Sequence, residues 1–202
     1  MKIILATSNK GKIAEIRKIL AQSGIEIISL ADLPVIEFPE ETGVTFRENA
    51  EAKARLIFDR FGLPVLADDS GLEVDALGGL PGVRSARYAS EGATDEANYL
   101  KLLHDMASVP SGGRSARFRC VIALITADGE ARVFEGALEG EIAFKPSGKN
   151  GFGYDPVFFI PDKRRTAAEL TPDEKNAISH RAQALARLKA WFADRKASGG
   201  NS

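Results

Sequence analysis

Lys2-Ile3-Ile4-Leu5-Ala6-Thr7-Ser8-Asn9-Lys10-Gly11-Lys12, followed by Ile13, Ile16 and Leu20, is the stretch that decides the fold. Residues 2–6 are an apolar run that reads as a buried strand and residues 7–12 are a polar turn. The three apolar residues after it share one face of a helix ending near Gly24. Strand, polar loop, helix is the opening of an α/β protein. The loop offers Ser8 or Asn9 as an N-cap, open backbone N–H groups at a helix start, and Lys10 and Lys12, which together suit a phosphate. It lacks the spaced glycines of a Walker A loop, and a capped helix with surface lysines explains the same residues.

Outward from this unit, residues 25–30 read as a second strand, followed by a proline-bearing segment with the acidic pair Glu40-Glu41. Thr45 and Glu48 form a capping box for a helix whose buried stripe is Phe46, Ala50, Ala54, Ile57 and Phe61. Asn49 and Lys53 share one face of it at i, i+4 spacing, and Lys53 either snorkels or points at phosphate. The helix feeds into Pro64-Val65-Leu66-Ala67-Asp68-Asp69-Ser70-Gly71, a buried strand that stops at two carboxylates and a tight turn. Adjacent anions repel, and hard oxygen ligands at a strand end suit Mg²⁺ or Mn²⁺. An Asx cap at a strand-to-turn junction is the plainer reading of the dipeptide taken alone.

Residues 72–89 read as a long ordered loop holding Arg84, Arg87 and Tyr88, with Arg87 meeting either a phosphate or an acidic neighbour. Thr94 caps the next helix, with Asp95 and Glu96 in its first turn, Leu100, Leu103 and Met106 inward, and His104 exposed. Two strands over 117–126 and 131–141 are joined at Asp128-Gly129, a hairpin signal. In residues 146–156, glycines flank Phe152, so backbone can approach a planar ligand while the ring stacks on it; internal packing of the aromatics is the alternative. A strand over 157–160 follows. The last helix starts after Thr171, with Pro172 at N1 and Glu174 completing a second capping box, and it buries Ile178, Leu185, Leu188 and Phe192. Continuous or restarting at Ser179, it gathers Lys175, Ser179, His180 and Arg181 within about two turns.

The chain of 202 residues is 44% hydrophobic and has a formal net charge of -1, enough for a real core and without the basic face that nucleic acid requires. Cys120 is its one cysteine, read as a buried structural thiol, so an intrachain disulfide is impossible. The apolar run at residues 3–6 is too short for a signal segment and no stretch could span a bilayer, so neither nucleic acid nor membrane is expected as a partner. A cytoplasmic location follows by elimination.

Thr7-Ser8-Asn9 with Lys12, Asp68-Asp69-Ser70-Gly71, Phe152-Gly153-Tyr154-Asp155-Pro156 and Ser179-His180-Arg181 resemble the signatures of the inosine triphosphate pyrophosphatase family, in unbroken order over residues 2–190. Val83-Arg84 departs from the pattern, since many relatives carry an aromatic residue before the Ser-Ala-Arg segment. The resemblance implies an α/β fold with a long central mixed sheet flanked by helices and two lobes with a substrate cleft between them. One such domain covers residues 1–195, residues 196–202 reading as a disordered tail, and the resemblance implies a homodimer. The implied reaction is Mg²⁺-dependent hydrolysis of ITP, dITP and XTP to the monophosphate and pyrophosphate, house-cleaning of the nucleotide pool. Asp69 and Lys53 would be catalytic, with Asp69, Glu40 or Glu41, and Asp68 at the metal. Thr7, Ser8, Asn9, Lys10, Gly11 and Lys12 would bind phosphates and Ser70 the sugar-phosphate part. Phe152, Gly153, Tyr154, Asp155 and Lys175 would line the base site, with His180 and Arg181 donating to the purine O6. A pyrophosphatase for modified pyrimidine or 7-methylguanine nucleotides, and a non-catalytic nucleotide sensor, are the competing readings.

Overall fold

The computed structural model describes residues 1–34 and 41–199, with side chains through residue 195. Glu40 and residues 200–202 of the expected tail lie outside them, while residues 196–199 continue the last helix. The strands are β1 (Lys2–Leu5), β2 (Glu26–Ser29), β3 (Val65–Val74), β4 (Ser115–Ile125), β5 (Ala131–Ile142), β6 (Phe158–Ile160) and β7 (Arg165–Thr166). The helices are α1 (Lys10–Leu20), α2 (Phe46–Phe61), α3 (Asp95–Asp105), α4 (Pro172–Ile178) and α5 (His180–Gly199). The seven strands hydrogen-bond in the order β2-β1-β3-β4-β5-β6-β7. β1 runs parallel to β2 and β3, and β6 runs antiparallel to β5 and β7, so the sheet is mixed. Among the described residues no helix is long and apolar enough to cross a membrane.

By packing, the chain divides into two compact units. The first comprises residues 1–69, 120–136 and 180–202. In it α1 carries the chain from β1 to the parallel β2, as a parallel pair requires, with Ile3 beside Ile27. Its core packs Ile3, Leu5, Leu66, Ile122 and Leu124 of the strands against Ile16 and Leu20 of α1 and Leu185 and Leu188 of α5. Gly136 of β5 is required by α5: a Cβ there would stand 2.1 Å from the His180 carbonyl oxygen. Thr126 and Glu130 close the β4–β5 hairpin, Thr126 N–H donating to the Glu130 carbonyl at 3.0 Å.

The second unit comprises residues 70–119 and 137–179. Leu72, Val74, Leu102, Met106, Phe118, Phe158 and Val157 are among its buried core residues. Arg114 is buried there as a cap, donating to the carbonyls of Met106 and Val109 and to those of Ile142 and Ala143.

Two local expectations change, one open alternative is resolved and one strand is new. β3 does not stop at Asp68-Asp69 but runs on through Ser70-Gly71 to Val74, because Leu72 and Val74 are buried and Ser85 Oγ accepts the Leu72 N–H at 2.9 Å. Leu100 is 49% exposed, and Leu102 takes the inward place because it shares a face with Asn98 and Met106 at i, i+4 spacing. The last helix breaks: Ser179 is extended, its N–H donating to the Lys175 carbonyl, so α4 and α5 fall in different units. β7 is two residues long, too short for any periodicity to reveal.

Candidate active site

In the first unit the phosphate-like loop folds as a capped helix start. Asn9 is the cap, its Oδ1 accepting the Lys12 N–H at 3.0 Å, and Thr7 Oγ1 accepts the Asn9 N–H at 3.2 Å. Ser8, Asn9 and Lys10 are exposed, and Thr7, Gly11 and Lys12 half-buried. Lys12 reaches β3 and pairs with Asp68.

Asp68 and Asp69 point to opposite faces of β3 and meet different surroundings. Asp68 is buried and takes Lys12, the Arg181 Nε at 2.8 Å and the Cys120 Sγ at 3.2 Å. Burial alone would raise its pKa, but Arg181 and then Lys12 outweigh it and hold the carboxyl well below the usual carboxylate range. Arg181 also pairs with Glu15 of α1. Asp69 accepts from Lys53 Nζ at 2.7 Å and from Asn49 Nδ2 at 3.3 Å. Here burial prevails over the cations Lys53 and Lys12, Glu41 adds to it, and the pKa of Asp69 is raised. One strand thus carries, side by side, a carboxylate whose pKa is lowered and one whose pKa is raised.

Lys53 Nζ donates to Asp69, to Glu41 Oε1 at 2.9 Å and to the Asp68 carbonyl at 3.0 Å. An ammonium has three N–H donors, so all are used, and Lys53 reaches a phosphate only by giving one up. Burial works to lower its pKa, but Asp69 and Glu41 outweigh it and raise it.

In the second unit the glycine-rich loop folds around Asp155, which is buried. Its Oδ2 accepts the Phe152 N–H at 2.9 Å and pairs with Lys175, placed by the Thr171–Glu174 capping box at the start of α4. Gly151 has φ +78°, and a Cβ there would fall 2.0 Å from that same oxygen. The Lys175 ammonium lies over the Phe152 ring, 4.6 Å from its centroid. Gly153 N–H donates to Asp95 Oδ2 at 2.7 Å, and Tyr154 Oη to the Ser85 carbonyl at 2.8 Å. Ser70 is half-buried.

The residues expected at the phosphates and metal therefore gather in one unit, Glu40 lying outside the described residues, and those expected at the base gather in the other, apart from His180 and Arg181. His180 is buried at the start of α5. Arg181, expected to donate to the purine O6, directs Nε and Nη1 to carboxylates within the first unit. Sequence reasoning did not find Glu15, 166 positions from its partner, or Asp95, which it read only as a helix-dipole residue. Neither has a local signal for its contact.

The Ham1 family profile matches residues 3–191. A dITP/XTP pyrophosphatase of Halalkalibacterium halodurans is 53% identical over 189 residues, 94% of this chain and 97% of that protein. One from Shigella flexneri is 51% identical, covering 93% of this chain and 95% of its own length. A HAM1 protein structure from Coxiella burnetii superposes with a TM-score of 0.86 at 47% identity, covering 96% of this chain and 99% of that one. With the profile spanning nearly the whole sequence and relatives of this identity matched end to end, the chain belongs to the Ham1 family.

Proposed function

We propose that this chain hydrolyses deaminated purine nucleoside triphosphates, dITP, XTP and ITP, to the monophosphate and pyrophosphate, in keeping with relatives that are dITP/XTP pyrophosphatases. The observation that carries the chemistry is the geometry on β3: the two Asp69 oxygens accept from Lys53 and Asn49, with Glu41 on the same Lys53 ammonium, beside an Asp68 paired with Lys12 and Arg181. In-line attack of water on the α-phosphorus needs a base beside the water and cations on the phosphate oxygens. Asp69 is the base, orienting the water and taking its proton. Lys12 and the N–H groups opening α1 hold the phosphates, with Thr7, Ser8, Asn9, Lys10 and Gly11 around them and Ser70 at the sugar-phosphate part. Asp68 fixes Lys12, and Lys53 holds Asp69 and Glu41 in register.

Among the described residues no three His, Cys, Asp or Glu side chains stand together as a ready-made cage. Glu41 and Asp69 do converge on one cation, the Lys53 ammonium. Two carboxylates completed by water and substrate oxygens fit Mg²⁺ or Mn²⁺, which takes few protein ligands at phosphate sites. Such an ion supplies charge neutralisation at the phosphate oxygens when bound.

Phe152 offers a stacking face, and Lys175 and Asp155 beside it offer a donor and an acceptor. Hypoxanthine presents O6 as acceptor and N1–H as donor, and adenine presents the reverse, so the pair matches the deaminated base. A buried mismatch of this kind discriminates by ~10⁴-fold. His180 and Arg181 are the further candidates for O6, Arg181 at the cost of loosening Asp68. A homodimer, carried by the family resemblance, and a cytoplasmic location, reached by elimination from the sequence, are part of the same proposal.

A panel of ITP, dITP, XTP, ATP, GTP and modified pyrimidine nucleotides, with and without Mg²⁺, tests the reading. Pyrophosphate release from the deaminated purines and little from ATP is the expected result. Orthophosphate as first product would place attack at the γ-phosphorus, and binding without turnover would leave a nucleotide sensor. Phe152→Ala is expected to raise KM for ITP about 10- to 100-fold, the range that one lost base–aromatic stack gives. An unchanged KM would take the ring out of base recognition.

A further inference from the structure

We propose that Asn49 is a positioning residue that holds Asp69 and the segment carrying Glu41 in one geometry, an inference that rests on the pyrophosphatase reading above. Asn49 is 3% exposed, on the buried face of α2. Its Oδ1 accepts the Gly43 N–H at 2.9 Å, and its Nδ2 donates to Asp69 Oδ2 at 3.3 Å. The amide has one orientation only, since turning it over would set a donor against the Gly43 N–H and an oxygen against a carboxylate. One turn further along α2, Lys53 donates to the other Asp69 oxygen at 2.7 Å and to Glu41 at 2.9 Å. Both oxygens of Asp69 are therefore gripped from a single helix face, and a free rotation about its Cβ–Cγ bond is closed off from both sides. The same face anchors the chain two residues beyond Glu41.

Gly43 supplies an independent observation. A Cβ at this position would lie 2.4 Å from Asn49 Oδ1 and 3.0 Å from its Cγ. The backbone at residue 43 is thus packed directly on the Asn49 amide, and a glycine there keeps the amide in place. Val44 and Thr45 N–H groups are taken by Glu48, so the whole turn before α2 is fastened to that helix by two adjacent side chains. A base that must orient water loses rate steeply when it is displaced by a fraction of an ångström to an ångström.

The test measures kcat and KM separately with dITP and Mg²⁺ for the parent, Asn49→Ala, Asn49→Asp, Gly43→Ala and the double variant, with thermal melting to establish folding. Asn49→Ala is expected to lower kcat about 30-fold with KM within about threefold of the parent. Asn49→Asp keeps an acceptor for the Gly43 N–H but sets an oxygen against Asp69, so its kcat is expected to fall at least as far. Gly43→Ala is expected to lower kcat about 10-fold alone and by less than about twofold in the Asn49→Ala background, where the clashing amide is gone. An amide with a merely structural role would shift the melting temperature and leave kcat unchanged, and kcat within about threefold of the parent in these variants overturns the inference. Should Asn49→Ala fail to fold, Gly43→Ala decides by the same criterion. A parent that releases no pyrophosphate from dITP overturns the pyrophosphatase reading and this inference with it, and the parent's own rate tells that outcome from the other.

Discussion

Replacing Asp69 with asparagine is expected to lower kcat by about 10³-fold or more, the scale of losing a general base, while leaving the protein folded. The side chain is isosteric and its oxygen still accepts from Lys53, which keeps Glu41 and the Asp68 carbonyl as partners. The folded-state pKa of Asp69 is raised, so its contribution to stability is present below the unfolded value and is lost as pH rises through the folded one. At neutral pH the neutral amide removes the cost of the ionised carboxylate but sets a donor against Asn49 Nδ2, so the two effects oppose and the melting temperature is expected to stay close to the parent's. Steady-state pyrophosphate release and thermal melts at pH 7 check both halves. An unaltered kcat would remove Asp69 from the mechanism.

Asp68→Asn should do the opposite. Here the charge holds the fold: without it Arg181 and Lys12 face a neutral side chain inside the protein, and breaking a buried pair from one side costs about 3–5 kcal/mol. The folded-state pKa is lowered, so the stabilisation is present above the unfolded value of about 3.9 and is lost as pH falls through the folded one. Urea denaturation at neutral pH is expected to show the full difference between parent and variant, and the gap should shrink as pH falls below about 4. A gap of under about 1 kcal/mol at pH 7 would mean that the pair is stabilising nothing beyond its own desolvation.

The parts of this fold that could be read from sequence are those whose causes lie within a few residues. Thr45 with Glu48 and Thr171 with Glu174 are capping boxes in the sequence and in the structure, and the α1 cap resolves to Asn9. The apolar runs of β1, β4 and β5 located those strands to within about two residues, and that of β3 located its start. Where the reading failed, a distant partner decided. Ser70-Gly71 carries a turn signal, yet β3 passes straight through, because the charges before it are satisfied by Lys12, Lys53 and Arg181, the last 113 positions from Asp68. The same distance explains the site. Residue types and order pointed to Lys12, Asp68, Asp69 and Arg181, but only coordinates reveal that Arg181 is spent on Asp68 and Glu15, and that Lys53 has three acceptors.

Ser179 ends one packed body and His180 begins the other, and each body owns a separate hydrophobic core. Phe152, Asp155 and Lys175 draw their rigidity from the core of Leu72, Leu102 and Phe158, whereas Lys12, Asp68 and Asp69 draw theirs from that of Ile3, Leu66 and Leu185. On the proposed assignment, His180 and Arg181 apart, nucleobase preference and hydrolytic chemistry can thus drift independently under selection. On the same assignment, directed evolution toward a new base has a natural first library in residues 70–119 and 137–179, with His180 and Arg181 the two base candidates outside it.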